Sequence, residues 1–359
     1  MHSMLAVPRA WAPGVQAVSA VDAWVAADAV VAGADGRPRQ AKAMQIVKKA
    51  GRRTSARDWA RAFASLVLGV FVATGAIAAS SQKTFASPED AASALVRAVK
   101  SHDRAATLSV LGDAGAWLSS GDVTADRAAA ERFVTAYETK HAIARDGEKA
   151  TLTIGEDRFP FAFPIVKTGD RWRFDTAAGT EELLARRIGA NELDTVKVLQ
   201  AIVDAEREYA SQDRTGDGVF TYTQKFESAP GRHDGLYWPT KAGEAQSPLG
   251  PLIARAAAEG YRKSDKGPTP YHGYYFRMLK GQGKNAEMGA FDYVLHGRDI
   301  GGFAVVAYPA KYGNSGIMTF IVNQDGKVYQ SDLGSGTAKK ASAMQRFDPV
   351  SGWSTVKAP

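Results

Sequence analysis

The residues best suited to acid–base or metal chemistry are six histidines, at positions 2, 102, 141, 233, 272 and 296, and no two of them share metal-ligand spacing. His233-Asp234 and Asp292/His296 are the only local pairings of histidine with a carboxylate. A hydrolytic triad needs a nucleophile, a base and an acid that orients the base. Ser315, His233 or His272, and an Asp supply those types only if the fold gathers them. Gly313-Asn-Ser315-Gly316 lacks the Gly-x-Ser-x-Gly pattern of a nucleophile elbow and reads better as a tight glycine turn. The catalytic candidates are therefore His233, Asp234 and His272. No glycine-rich phosphate loop and no dinucleotide fingerprint is present, so no nucleotide cofactor is expected.

Asp213-Arg-Thr215-Gly-Asp217-Gly218 places oxygen ligands at positions one, three and five with glycine at six, as in the start of an EF-hand loop. The twelfth position is Gln224 where a bidentate Glu would complete the shell. An acidic glycine-rich turn at a helix exit explains the stretch better than a Ca2+ site. Aromatics gather further on, and Tyr237, Trp238 and Tyr275 are the candidates for stacking on a glycan or peptide, since such rings offer flat faces with polar tips. Period-two alternation puts Tyr274 and Phe276 on one face of a strand and Tyr275 on the other.

These groups need elements to position them, and the chain has the means. Its 359 residues are 45% hydrophobic, enough for two domains with cores. The net charge of +7 suggests a nucleic-acid partner until it is located. Ten of the 45 basic and four of the 38 acidic residues lie within 1–78, leaving 35 against 34 in the rest. A nearly neutral body argues against nucleic acid.

The basic excess marks a leader. Lys48, Lys49, Arg52, Arg53, Arg57 and Arg61 precede an apolar run from Ala62 to Ala79 with small residues at Ala76 and Ala78. That order matches a signal peptide over 44–78 cleaved near Ala78; an uncleaved membrane anchor is the competing reading. Residues 1–43 fit badly ahead of it and are expected to be a mis-assigned or disordered extension. Arg52-Arg53 leaves twin-arginine export open. Without cysteine there are no disulfides, no thiolate metal sites and no lipoprotein anchor. The expected location is the periplasm or beyond.

Two α+β domains are expected. In 83–180, Ser87-Pro88-Glu89-Asp90 opens a helix to about Ser101, a short helix ends near Leu111, and Thr124 to Asp126 caps a longer one. Strands follow at Thr151–Ile154, Phe159–Val166 and Arg171–Phe174, with Thr168-Gly-Asp170 as a hairpin turn. Ala178-Gly179 and Glu181–Arg187 mark a joint. In 190–356, Asn191 caps a helix with Leu193, Val196, Leu199, Ile202, Val203 and Tyr209 on its apolar face and Glu206 on the solvated side. Strands are expected at Tyr271–Leu279, Gly302–Tyr308, Ile317–Val322 and Val328–Asp332, with Asn323-Gln-Asp-Gly326 as a hairpin turn.

Several blocks carry a family resemblance: Ala201-Ile-Val-Asp-Ala-Glu-Arg-Glu-Tyr209, Asp234-Gly-Leu-Tyr-Trp-Pro239, Pro270-Tyr-His-Gly-Tyr-Tyr-Phe276, Gly301 to Phe320, Asp325-Gly-Lys-Val-Tyr329 and Asp332-Leu-Gly334. They resemble a bacterial family of exported proteins catalogued as domain of unknown function 2950, a name that implies no activity. The first domain is similar in layout to cone-like folds, and the second resembles a pilin globular domain. In pilins the apolar anchor is fused directly to that unit, whereas here residues 83–180 intervene. The expectation is a non-enzymatic envelope protein with an interaction or scaffolding role toward an envelope protein or polymer. The alternatives are an envelope-polymer hydrolase with its site between the domains, and a small-molecule binder using a pocket behind Trp172.

Overall fold

A computed structural model describes residues 82–356 except Thr215, Asp217 and Lys266. The leader and the segment before it lie outside the described residues. So do two of the three proposed calcium ligands.

The first half is helices followed by an antiparallel sheet, as expected. Helix α1 (Pro88–Lys100) starts where the Ser87 side chain accepts the Asp90 N–H, with proline in its first turn. α2 (Arg104–Leu111) and the one-turn α3 (Gly115–Leu118) follow. α4 (Val123–Thr139) is capped by Asp122 rather than by Thr124: the Asp122 carboxylate accepts the Ala125 N–H. The sheet holds β1 (His141–Asp146), β2 (Lys149–Ile154), β3 (Phe159–Pro160), β4 (Ile165–Thr168) and β5 (Arg171–Phe174). Its order is β1-β2-β4-β5, with β3 also on β2. β1 was not expected, because its alternation is weak and five of its six residues are exposed. The expected strand Phe159–Val166 is broken by Pro160 and Pro164, which lack the N–H a continuous ladder needs.

The expected joint is not a linker. α5 runs from Thr176 to Ala210 without a break, capped by Asp175, so Asn191 is an interior residue. Gly179 sits in its first turn, where a Cβ would lie 2.1 Å from the Phe163 ring. Its role is close approach of helix to sheet. The two expected domains thus share one 35-residue helix.

The second half packs α5 against a five-stranded antiparallel sheet of order β13-β11-β10-β9-β6. The strands are β6 (Tyr274–Leu279), β9 (Ala304–Pro309), β10 (Met318–Asn323), β11 (Tyr329–Asp332) and β13 (Ser354–Thr355). The expected hairpin closes where the Gly326 N–H reaches the Asn323 carbonyl at 2.9 Å. One face, with Tyr274, Phe276, Val305 and Phe320, meets Leu199, Ile202 and Val203 of α5. The other, with Val306, Tyr308 and Ile321, meets Ala341 of α7 (Thr337–Ala343). α6 (Gly250–Ala258) and a small sheet of β7 (Gly281–Gln282), β8 (Phe291–Asp292) and β12 (Arg346–Phe347) were not expected; the three strands are two residues each, too short to show a period.

Candidate functional site

Where α5 passes α6, the turn Tyr271–Tyr274 closes the gap between them. His272 and Gly273 take φ values of +48° and +73°, and Tyr271 and Tyr274 exchange backbone hydrogen bonds at 2.9 and 3.1 Å. Left-handed backbone is costly for a histidine, so the surroundings must hold it. They do. The Asp122 carboxylate, 1% exposed, accepts the Gly273 N–H at 3.0 Å and the Tyr261 hydroxyl at 2.9 Å. The Tyr261 oxygen in turn accepts the His272 N–H at 3.2 Å.

The imidazole lies between two carboxylates. Its Nδ1 is 3.8 Å from Asp194 Oδ2, and its Nε2 is 3.3 Å from Glu259 Oε2. Burial nonetheless holds its pKa below the ordinary value, outweighing the pull of Asp194 and Glu259. The approach to Glu259 is not aligned as a hydrogen bond, and Glu259 Oε2 and the Tyr271 hydroxyl are both buried without a partner. Burial, and then the Glu259 charge, push the Tyr271 hydroxyl up. Beside the turn is a cavity of about 60 Å³, walled by α5 residues 194, 197, 198 and 201 and by Leu252 and Arg255 of α6. It has room for a small polar group but not for a nucleotide or a polymer segment.

The catalytic candidates do not converge. His233 is exposed, its ring stacks on Trp238 at 4.2 Å, and its carbonyl accepts the Tyr209 hydroxyl at 2.8 Å. Asp234 binds Lys225 Nζ at 2.6 Å and the Ala229 N–H at 2.8 Å, contacts that hold its pKa down and close the 223–235 loop. Tyr209 and Asp194 mark the two places on α5, fifteen residues or roughly 22 Å apart along the axis. Ser315 is fully buried, with its hydroxyl taking the Lys311 N–H at 2.9 Å, so it closes its own turn. That turn locks the halves together: Asn314 reaches the carbonyls of Ala116 and Ser119, Arg187 reaches Asn314 and Trp117, and Asn191 reaches the Ser315 carbonyl.

The remaining candidates are occupied by their own chain. The Asp213 carboxylate accepts the N–H groups of Gly216 and Gly218 at 2.7 and 2.8 Å, as a turn would require. Tyr237 packs on the core, and Trp238 is 8% exposed with the Arg214 guanidinium 5.4 Å from its ring. Tyr275 pairs with Tyr308 at 5.6 Å on the face opposite Tyr274, as alternation predicted. Trp172 is packed among Phe163, Ile165 and Phe174, so its surroundings are apolar core rather than a polar pocket. Among the described residues no group of three acidic or histidine side chains is arranged to hold a metal ion.

Two further features are not expected from the sequence. Glu206 is fully buried, with Oε2 taking the Thr223 N–H and Oε1 unpartnered. Burial, reinforced by the Asp299 charge, drives its pKa well above the ordinary range. Asp299 also has a buried unpartnered oxygen and is pushed up to about 6, mainly by burial. The second feature is the 293–300 turn. Tyr293 is buried at its base, Leu295 and Arg298 bond each other's backbone at 2.8 and 3.0 Å, and the Asp299 carbonyl takes the Tyr222 N–H at 2.8 Å. On this braced turn Val294, Leu295 and Ile300 are 41–45% exposed, and Phe220, two residues from Tyr222, is 62% exposed.

Residues 82–356 match the model of the family described as Protein of unknown function (DUF2950), and the chain belongs to that family. No curated protein and no solved structure matches it.

Proposed function

We propose that this DUF2950 member is an exported envelope protein without catalytic activity, which docks a protein partner through the apolar turn at 293–300. The observation that carries this reading is that turn. Four large apolar side chains, Phe220, Val294, Leu295 and Ile300, face solvent on two segments tied together by the Tyr222–Asp299 backbone bond. Exposed large apolar side chains on neighbouring segments are an ordinary mark of an interaction site. A turn already held rigid loses little freedom on binding. The dispersal of His233 and Asp234 from His272 supports the non-enzymatic side of the proposal. Export rests on the basic-then-apolar leader before residue 79.

The test is a double variant, Leu295→Asp with Ile300→Asp, in cells that make the tagged protein. Cross-linking of the wild type is expected to yield a recurrent protein adduct that the variant loses while its thermal unfolding stays cooperative. An adduct pattern unchanged by the variant would overturn the docking site. Amino-terminal sequencing of the same material is expected to begin near Ala79.

A further inference from the structure

The geometry points to the cavity beside His272 as a binding site for a small zwitterion of the free α-amino-acid class. Its polar groups lie in layers. The floor is rich in acceptors: Asp194 Oδ2 stands 3.8 Å from His272 Nδ1, too far for a hydrogen bond, and the buried Tyr271 hydroxyl, beside the Glu259 carboxylate, makes no aligned hydrogen bond. The outer oxygen of Asp194 is taken by Lys197 at 3.0 Å, which leaves Oδ2 as the inward one. Burial lowers the His272 pKa, which favours the neutral imidazole beside a cation placed there.

The rim has the opposite character. Lys197 and Arg255 both line the cavity, and each has a side chain 60% exposed. Arg255 spends only Nε on Glu259, at 3.0 Å, so the outer guanidinium nitrogens remain for a carboxylate. Val198, Ala201 and Leu252 form the apolar wall between floor and rim. An ammonium resting on Asp194 Oδ2 and Tyr271 Oη, a carboxylate at Lys197 and Arg255, and a short apolar side chain along the wall satisfy all three layers. The volume of about 60 Å³ limits the enclosed part to the ammonium and its neighbouring carbons. The turn that places His272 is braced by Asp122 and Tyr261, so the floor is formed before the ligand arrives.

Calorimetric titration of the purified protein with L-alanine, ethylamine and propionate tests the layering. L-alanine is expected to bind saturably, and ethylamine and propionate, each with half of its polar groups, at least tenfold more weakly. Tyr271→Phe, which removes only the floor hydroxyl, is expected to weaken alanine about tenfold, the scale of one charge-assisted hydrogen bond. Arg255→Gln, at an exposed rim position, is expected to weaken alanine about tenfold and to leave ethylamine, which has no carboxylate, unchanged. No alanine binding at millimolar concentration would overturn the proposal. So would propionate or ethylamine binding as tightly as alanine, or an alanine affinity that neither variant changes.

Discussion

The Asp122 carboxylate accepts the Gly273 N–H at 3.0 Å across 151 residues of sequence, and with its other oxygen it caps α4. One buried side chain thereby fixes a helix of the first half to the turn that carries His272 in the second. Asp122→Ala would leave the Tyr261 hydroxyl and the Gly273 N–H unpaired and remove the cap. The expected loss is about 4 kcal/mol in urea unfolding, with Asp122→Asn losing roughly half of that.

Gly179 sets two effects against each other. In an open helix, glycine to alanine gains up to about 1 kcal/mol from propensity. Here the new Cβ would meet the Phe163 ring at 2.1 Å and the Phe163 Cα at 2.8 Å. Backbone cannot swing aside as a side chain can, so the clash wins. Gly179→Ala is expected to destabilise by about 2 kcal/mol in the same assay.

Glu206 and Asp299 make stability depend on pH. Asp299 has a folded pKa raised from 3.8 to about 6, so its favourable contribution is full below about pH 4 and declines as pH rises toward 6. Partial exposure screens the effect to about 1 kcal/mol. Glu206, also raised, adds a loss of the same sign at higher pH. Asp299→Asn with Glu206→Gln is expected to raise the melting temperature at pH 8 and to flatten the slope between pH 4 and 8. A double variant that melts lower at pH 8 would show that the two charges are stabilising.

Most of the scaffold was legible. Ser87-Pro88 marked a helix start, the Gly169 and Gly326 turns marked hairpins, and alternation at Tyr274–Phe276 assigned the sheet faces. The errors have local causes. Ala178-Gly179 resembles a linker because nothing in the sequence reveals Phe163 pressing on that helix turn. The charge of Glu206 points to solvent, although it stands at i+3 from Val203, i+4 from Ile202 and i+7 from Leu199, on the buried stripe. Helical spacing was the signal that should have outweighed residue type. The site around His272 draws on positions 122, 194, 259 and 271, and no local spacing links residues that only the fold assembles.

Ser315 offers a clear contrast between structural and chemical roles. Its hydroxyl takes the Lys311 N–H and is sealed from solvent. Ser315→Ala is expected to cost about 1 kcal/mol of stability and to leave partner docking unchanged. Loss of docking without loss of stability would assign this hydroxyl a direct role.

Docking at the 293–300 turn, as proposed, puts Leu295 against a protein partner. The most direct measurement places a photo-crosslinking amino acid at Leu295 and, as a control, at the exposed Lys149 of the first sheet, in living cells. A discrete protein adduct is expected from position 295 and absent from position 149. Equal adducts at both positions, or none at 295, would contradict it.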